Sequence, residues 1–360
     1  MKDIVVSGIR STGNLHLGNY FGALRNFVKM QEESNCFFFI ADLHALTTHP
    51  DPAMLHENVK NILAEYLAAG LDPEKSTIFI QSDVPEISQL YLLMNMHVGI
   101  GELMRTASFK DKARKQLHLD NRADESEEAI EKEIISDSSK NRVNAGLLTY
   151  PTLMAADILI HKATKVPVGK DQEQHLEMTR RFARRFNSVY GVELFPEPTS
   201  YNFGQASIKV PGLDGSGKMG KSEGNCIYLC DEEKVLRKKV MRAVTDEGPQ
   251  APNSPKSEPL ENLFTLLKIV STPDVVSYFD EQYNNCSIRY GDLKKQLAED
   301  ILKTTTPIRE RILDIRNNDE YLRRVVAQGA ERARESAART LEEVRKVMGF
   351  RSFWLTHNYL

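Results

Sequence analysis

Three stretches of this 360-residue chain combine residue types at spacings that could do chemistry on a charged substrate. The first is Ser7-Gly8-Ile9-Arg10-Ser11-Thr12-Gly13-Asn14-Leu15-His16-Leu17-Gly18-Asn19-Tyr20. Here an apolar run ends in a glycine-bearing turn, and a helix starts close to a histidine. Its glycines let backbone approach a ligand closely, and helix N-terminal amides favour phosphate. An ordinary strand-to-helix turn with permissive glycines would read the same way. The second stretch is Lys209-Val210-Pro211-Gly212-Leu213-Asp214-Gly215-Ser216-Gly217-Lys218-Met219-Gly220-Lys221-Ser222. Gly212 to Gly217-Lys218 has P-loop spacing, but Met219 stands where the magnesium-binding hydroxyl should be, and the segment sits late in the α/β half. A mobile loop presenting Lys218 and Lys221 to a polyphosphate fits better, because a flexible ammonium can follow charge developing on a leaving group. A linker with incidental lysines is the alternative. The third stretch is Gly146-Leu147-Leu148-Thr149-Tyr150-Pro151-Thr152-Leu153-Met154-Ala155-Ala156-Asp157-Ile158. Helical spacing puts Tyr150, Met154, Asp157 and Ile158 near one face. They could line an apolar pocket with a single polar anchor, or form a core stripe with Asp157 paired to a basic neighbour.

The elements that must position these residues alternate in type. Ile4–Gly8, Cys36–Ala41 and Ser76–Ile80 read as buried strands. A helix from His16 to Lys29 and another from Pro52 to about Ala69 lie between them, with Gly70 as a stop and Pro85 opening the next. Uninterrupted apolar strands between helices predict an α/β fold, a parallel sheet covered on both faces. Ligands in such sheets bind beyond the carboxyl ends of the strands, which draws attention to Gly8–Asn19, Asp42–His44 and Gln81–Asp83. Asp111–Arg142 is strongly charged and reads as an exposed, partly helical insertion. A long helix is expected after Pro151, then a short strand Lys165–Gly169 and a helix from about Gln172 to Tyr190. Beyond Asp231 the pattern is helical throughout: Glu233–Val244, Leu260–Val270, Thr272–Tyr283, Ser287–Lys303, Pro307–Arg316 and Asp319–Met348. The division predicted is residues 1–228 and 229–360, with a lysine loop at 212–224 and the last helix packing back on the first domain.

Composition sets outer bounds. Hydrophobic residues at 41% and charged residues at 27% exclude wholesale disorder. No uncharged apolar run reaches the roughly 18 residues a membrane span needs. The N-terminus enters a strand-like run with no signal-peptide core, and four scattered cysteines make no disulfide framework, so a cytosolic location is expected. Cys226 and Cys230 could supply half a metal site, but structural zinc takes four ligands and no second Cys/His pair stands nearby. A net charge of −3 is silent on nucleic acid, since a folded RNA needs only a local basic face. Lys234, Arg237, Lys238, Lys239 and Arg242 make one such helix and Arg180, Arg181, Arg184 and Arg185 another, although each is more often a solvated face.

Taken together, the three stretches resemble class I aminoacyl-tRNA synthetases. His16-Leu17-Gly18-Asn19 is similar to that family's His-x-Gly-His element, and Lys218-Met219-Gly220-Lys221-Ser222 to its Lys-Met-Ser-Lys-Ser element. Gly146–Ile158, with Val166-Pro167-Val168-Gly169-Lys170-Asp171-Gln172-Glu173-Gln174-His175, resembles tryptophanyl-tRNA synthetases in particular. The resemblance implies a Rossmann-type catalytic domain with an all-helical, anticodon-reading C-terminal domain. It implies L-tryptophan, ATP with Mg2+, and tRNA(Trp) as substrates, and a homodimer joined near Val84–Arg105, where Leu90, Leu92, Leu93 and Met94 could equally be core.

The resemblance also assigns residues. Arg10, Ser11, Thr12, Gly18 and Asn19 would border ATP, with His16 against its phosphates. Gly169, Lys170 and Asp171 would hold its ribose and adenine side, with Ile208 near the base. Lys218, Met219, Gly220, Lys221 and Ser222 would form the loop over pyrophosphate, helped by Lys112; His16, Lys218 and Lys221 are the catalytic candidates. Asp157 would accept a hydrogen bond from the indole N–H. Val6, His44, Tyr150, Met154, Val166, Val168 and Gln172 would shape the tryptophan pocket or hold the amino group. Arg10 stands where the bacterial pattern usually has glutamine, and Gly220 where the loop has serine; activity is expected to survive both. Three rivals differ in kind. A tyrosyl-tRNA synthetase would want partners for a phenol, against the Ala155-Ala156-Asp157 context. A small nucleotidyltransferase would not need the lysine loop or the helical tail. A non-catalytic RNA-binding relative would not need His16, Lys218 and Lys221.

Overall fold

A computed structural model of the chain describes residues 2–117, 143–169, 172–201 and 209–350. Five strands form one parallel sheet: β1 (Ile4–Arg10), β2 (Asn35–Ala41), β3 (Thr77–Ile80), β4 (Lys165–Val166) and β5 (Thr199–Ser200), in the order β3-β2-β1-β4-β5. β1 and β2 pair from Ile4↔Asn35 to Arg10↔Ala41. Side chains alternate between faces, so Val5 belongs to one core and its neighbour Val6 to the other. The first core holds Leu24, Phe27, Phe38 and Tyr66 and continues into the C-terminal helices through Phe264 and Ile301. The second holds Phe37, Phe39, Ile158 and Phe182. Because both faces are covered, β2 buries every residue from Cys36 to Ala41, which explains its unbroken apolar run. The chain builds outward from β1 to β3 and then adds β4 on the other side of β1. That switch opens a crevice at the carboxyl ends of β1 and β4.

Local rules account for most helix boundaries. Asp51 accepts hydrogen bonds from the amides of Ala53 and Met54 and so caps the Pro52–Ala68 helix. The helix after His16 begins at Leu17, widens into a π-type turn over Tyr20–Leu24, and continues as Arg25–Glu33. Prolines misled the sequence pattern twice. The Ala145–Leu159 helix starts ahead of Pro151, capped by Asn144, whose side chain accepts from the Leu147 amide at 2.9 Å. Tyr290–Arg316 is one helix with Pro307 inside it, where two helices were predicted. A proline deletes one backbone hydrogen bond, and the buried faces around these two, including Leu153 and Ala155 in one and Leu302, Ile308 and Ile312 in the other, keep the helices whole. The strand expected at Lys165–Gly169 is only two residues long, leaving 167–169 as open chain.

Helices Glu233–Met241, Glu258–Val270, Pro273–Asn284, Tyr290–Arg316 and Asp319–Val347 complete the chain. The last lies against β3, one of the two edge strands. At Gly329 its backbone comes so close that an added Cβ would sit 1.7 Å from the Ile78 carbonyl oxygen. Arg332 donates to the Pro73 carbonyl at 2.7 Å, and Lys162 pairs with Glu343 at 2.9 Å. Within the charged stretch, residues 111–117 finish the Ala107–Leu117 helix and Ala113 is fully buried; the rest, 118–142, lies outside the described residues. Among the described residues no helix is long and apolar enough to cross a membrane.

Candidate active site

The crevice between β1 and β4 opens into a cavity of about 810 Å³ with a polar, cationic side and an apolar side. The cationic side is built from the first turn and the lysine loop, which are joined by backbone. The Leu17 amide donates to the Ile227 carbonyl and the Leu229 amide to the Leu15 carbonyl, each at 2.9 Å. This small ladder fixes His16 beside the end of the loop. The His16 amide donates to Asn19 Oδ1 at 3.1 Å, and the imidazole packs over Gly18, where a Cβ would fall 2.8 Å from the ring. Glycine is therefore the residue that fits at 18. Burial, reinforced by Lys221 and Lys218, pushes the His16 pKa down to about 4, so the ring is neutral at pH 7.

The lysine loop holds its own shape. Met219 is buried and its amide donates to the Val210 carbonyl at 2.8 Å, so the loop is pinned between its two lysines. Asn225 organises the rest. Its side-chain amide donates to Asp214 Oδ1, Ser216 Oγ and the Lys218 carbonyl, and its oxygen accepts from the Gly220 amide at 2.9 Å. Lys221 Nζ reaches the Gly13 carbonyl at 2.7 Å, and burial lowers its pKa. Gly220 has room for a side chain: a Cβ would meet only Glu223 at 3.5 Å, so this shape does not need a serine hydroxyl. Lys112, from the Ala107–Leu117 helix, stands over the Tyr150 ring at 4.0 Å, and burial plus the nearby Arg10 pull its pKa down to about 8.

The apolar side ends on Asp157, which is 1% exposed. Gln81 Nε2 donates to both its oxygens at 2.8 and 2.9 Å, and His44 Nε2 lies 3.2 Å from Oδ2. Burial raises the Asp157 pKa, opposed by the bonds from His44 and Gln81. Gln81 is oriented in turn, because its oxygen accepts from the Leu43 amide at 3.1 Å. An acceptor so placed, at the end of a pocket walled by Val6, Met154, Val166 and Val168, suits a planar apolar group bearing one N–H donor.

Most of the residues expected at the site meet here. Val6, Arg10, Thr12, His16, Asn19, His44, Tyr150, Met154 and Asp157 line the cavity, as do Val166, Val168, Gly169, Gln172, Lys221 and Ser222. Five of the others, Gly220 among them, stand off it. Ser11 is buried behind the turn, Met219 is buried in the core, Gly18 lies under the His16 ring, and Lys218 is exposed on the loop. Gly220 is a half-buried member of the loop backbone. Lys170, Asp171 and Ile208 lie outside the described residues. Sequence reasoning gave no role to Gln81, Ser108, His175 or Asn225. Gln81 had a signal, since it follows β3 at the ligand-binding end of the sheet; Asn225 falls just past the predicted loop and had none.

A 3-2-1-4-5 parallel sheet, with a histidine-bearing first turn and a two-lysine loop meeting over one cavity, defines a Rossmann-type enzyme that handles a polyphosphate beside an apolar co-substrate. A family model described as tRNA synthetases class I (W and Y) matches residues 2–305. The tryptophan–tRNA ligase of Porphyromonas gingivalis is 64% identical over 97% of this chain and 100% of its own length. That of Rhodopirellula baltica is 40% identical over 96% and 99%. The crystal structure of tryptophanyl-tRNA synthetase from Campylobacter jejuni, complexed with ADP and tryptophan, superposes with a TM-score of 0.79 at 33% identity, covering 96% of this chain and 99% of that one. The chain belongs to the class I tRNA synthetases for tryptophan and tyrosine, and within them to the tryptophan–tRNA ligases.

Proposed function

We propose that this chain activates L-tryptophan with ATP to tryptophanyl-adenylate and pyrophosphate, and then transfers the tryptophanyl group to the 3′ end of tRNA(Trp). The observation that carries this reading is Asp157, a buried acceptor held by Gln81 and His44 at the foot of an apolar pocket whose mouth is cationic. The indole N–H meets Asp157, and the carboxylate then lies toward Arg10 and Lys112. From there it attacks the α-phosphorus in line. Chemistry of this kind needs positioning and charge stabilisation, and no covalent catalyst. Thr12, the neutral His16 and Asn19 border the phosphates, while Lys221 and Lys218 follow the charge leaving with pyrophosphate. Among the described residues, those bordering this part of the cavity are cations and neutral donors, and Asp157 is engaged elsewhere. Mg2+ accompanies ATP as part of the substrate, coordinated mostly by phosphate and water. Gly169, Lys170, Asp171 and Ile208 take the nucleoside side, and Ser11, Gly18, Met219, Gly220 and Ser222 support the two loops.

We further propose a catalytic domain of residues 1–228 and a helical domain of 229–360 that reads the anticodon, in a cytoplasmic homodimer. Leu92, Met96 and Ile100 support the dimer, since they are 56%, 68% and 67% exposed within the expected surface, whereas Leu90 and Met94 are fully buried core. The test of function is exchange of labelled pyrophosphate into ATP with each of the twenty amino acids alone. Exchange with tryptophan only is the expected result. Exchange with tyrosine would move the specificity, and exchange with none would remove the activation step.

A further inference from the structure

Tyr150 and Gln172, two of the residues expected to shape the tryptophan pocket or hold the amino group, are tied together by a residue that does not line the cavity. His175 is 1% exposed. Its Nδ1 lies 2.9 Å from Gln172 Oε1, and its Nε2 lies 2.7 Å from the Tyr150 hydroxyl and 2.8 Å from Ser108 Oγ. The Tyr150 and Ser108 hydroxyls also bond each other, closing a triangle. The Ala107–Leu117 helix thus grips Tyr150 twice, by Ser108 at the hydroxyl and by Lys112 over the ring.

Donor and acceptor roles follow from counting hydrogens. Gln172 Oε1 has no hydrogen to give, so Nδ1 carries the imidazole proton and donates it. Nε2 is then left with one lone pair. Two hydroxyls face that lone pair, and only one can donate to it; the other must donate to its fellow hydroxyl. In either arrangement both hydroxyl hydrogens are used inside the triangle. The Tyr150 oxygen is thereby set as an acceptor with no hydroxyl hydrogen left to turn toward the cavity, while Gln172 has its amide orientation fixed by the bond from Nδ1 to Oε1. A hydroxyl oxygen held as an acceptor complements a protonated amine, which has three donors and no lone pair.

We propose that His175, seconded by Ser108, is a positioning residue that fixes the hydrogen-bond polarity of the Tyr150 hydroxyl and the orientation of the Gln172 amide, and so selects the α-ammonium group of the amino acid. The inference rests on the tryptophan reading given above. Its test is equilibrium calorimetry of the full chain with L-tryptophan and with indole-3-propionate, which keeps the indole and carboxylate but lacks the ammonium. The wild type should prefer tryptophan. His175→Ala should cut that preference at least about tenfold, because a charge-assisted contact loses its orientation, while the affinity for indole-3-propionate and the KM for ATP stay within about twofold. His175→Gln can place an amide oxygen near the Nε2 position and should recover part of the loss. Ser108→Ala, at a half-buried position, should act in the same direction by a factor of about three, which tests the triangle even if the His175 variants fold poorly. An unchanged preference in His175→Ala and Ser108→Ala, or equal weakening of both ligands, overturns the proposal. A wild type that binds neither ligand overturns the tryptophan reading itself.

Discussion

Removing the Asp157 carboxylate should raise the KM for tryptophan steeply and leave the KM for ATP nearly unchanged. An ionised carboxylate has about four lone-pair sites. Gln81 occupies one on each oxygen and His44 a third, which leaves one for the indole N–H. Losing a charge-assisted bond of this kind costs about 1.5–3 kcal/mol, or roughly 10- to 150-fold in KM. Asp157→Ala also strands the Gln81 amide hydrogen that the two carboxylate oxygens share, on a residue with no solvent exposure, so unfolding free energy should fall by about 1–3 kcal/mol. Asp157→Asn is no remedy. Its amide hydrogens face those of Gln81, and Gln81 cannot flip without giving up the Leu43 amide. The assay is tryptophan-dependent pyrophosphate exchange, run in parallel with an amino acid whose bicyclic ring carries sulfur in place of N–H. The wild type should discriminate against that analogue by the same factor, and Asp157→Ala should not discriminate at all. A rise in KM of less than about threefold, ~0.65 kcal/mol, would refute the pocket assignment.

Two further outcomes concern stability. His161 stacks on Phe37 at 4.2 Å, and full burial pushes its pKa down to about 3. It stays neutral in the fold while the unfolded chain takes up a proton below about pH 6.5, so its contribution is present above that pH and is lost as the pH falls toward 3. Between pH 7 and 5 the loss is about 2 kcal/mol. Urea unfolding of His161→Phe should show a pH dependence shallower than wild type by that amount, and identical slopes would contradict it. Gly329→Ala should destabilise by at least about 1–3 kcal/mol, because the new methyl meets the Ile78 carbonyl; this outweighs alanine's helix preference of about 1 kcal/mol. An unchanged or raised Tm would show that the helix can step off the strand freely.

The inner strands were legible because their burial on both faces writes an unbroken apolar run, and the helix starts at Pro52 and Pro85 because their proline signals are local. β5 was not foreseen: Thr199 and Ser200 are exposed and polar, and they pair only because Thr164 and Val166 present free carbonyls to the Thr199 and Tyr201 amides. Pro151 and Pro307 read as helix starts because the packing that carries a helix through a proline is set by distant residues. At the site, His16, Asp157 and Lys221 were found from their motifs. Gln81 and His175 act through other side chains, and their partners lie 76 and 25 residues away in sequence. The charged stretch from Asp111 suggested a solvated surface, yet the helix entering it delivers Ser108 and Lys112 to Tyr150. Periodicity does not report such long-range pairings.

The helix that lies along β3 is made after the sheet and the cavity residues. When β3 and every cavity residue up to Ser222 have left the ribosome, the strand's outer side still waits for residues 319–347. At about 5–20 residues per second that interval is roughly 6–25 s. Through it the nascent chain presents an uncovered strand edge, the kind of surface on which chains pair with one another. Protection of that edge therefore depends on residues 319–347, which follow every lining residue of the cavity in sequence. A premature stop that spares every substrate contact would still release a polypeptide prone to aggregate.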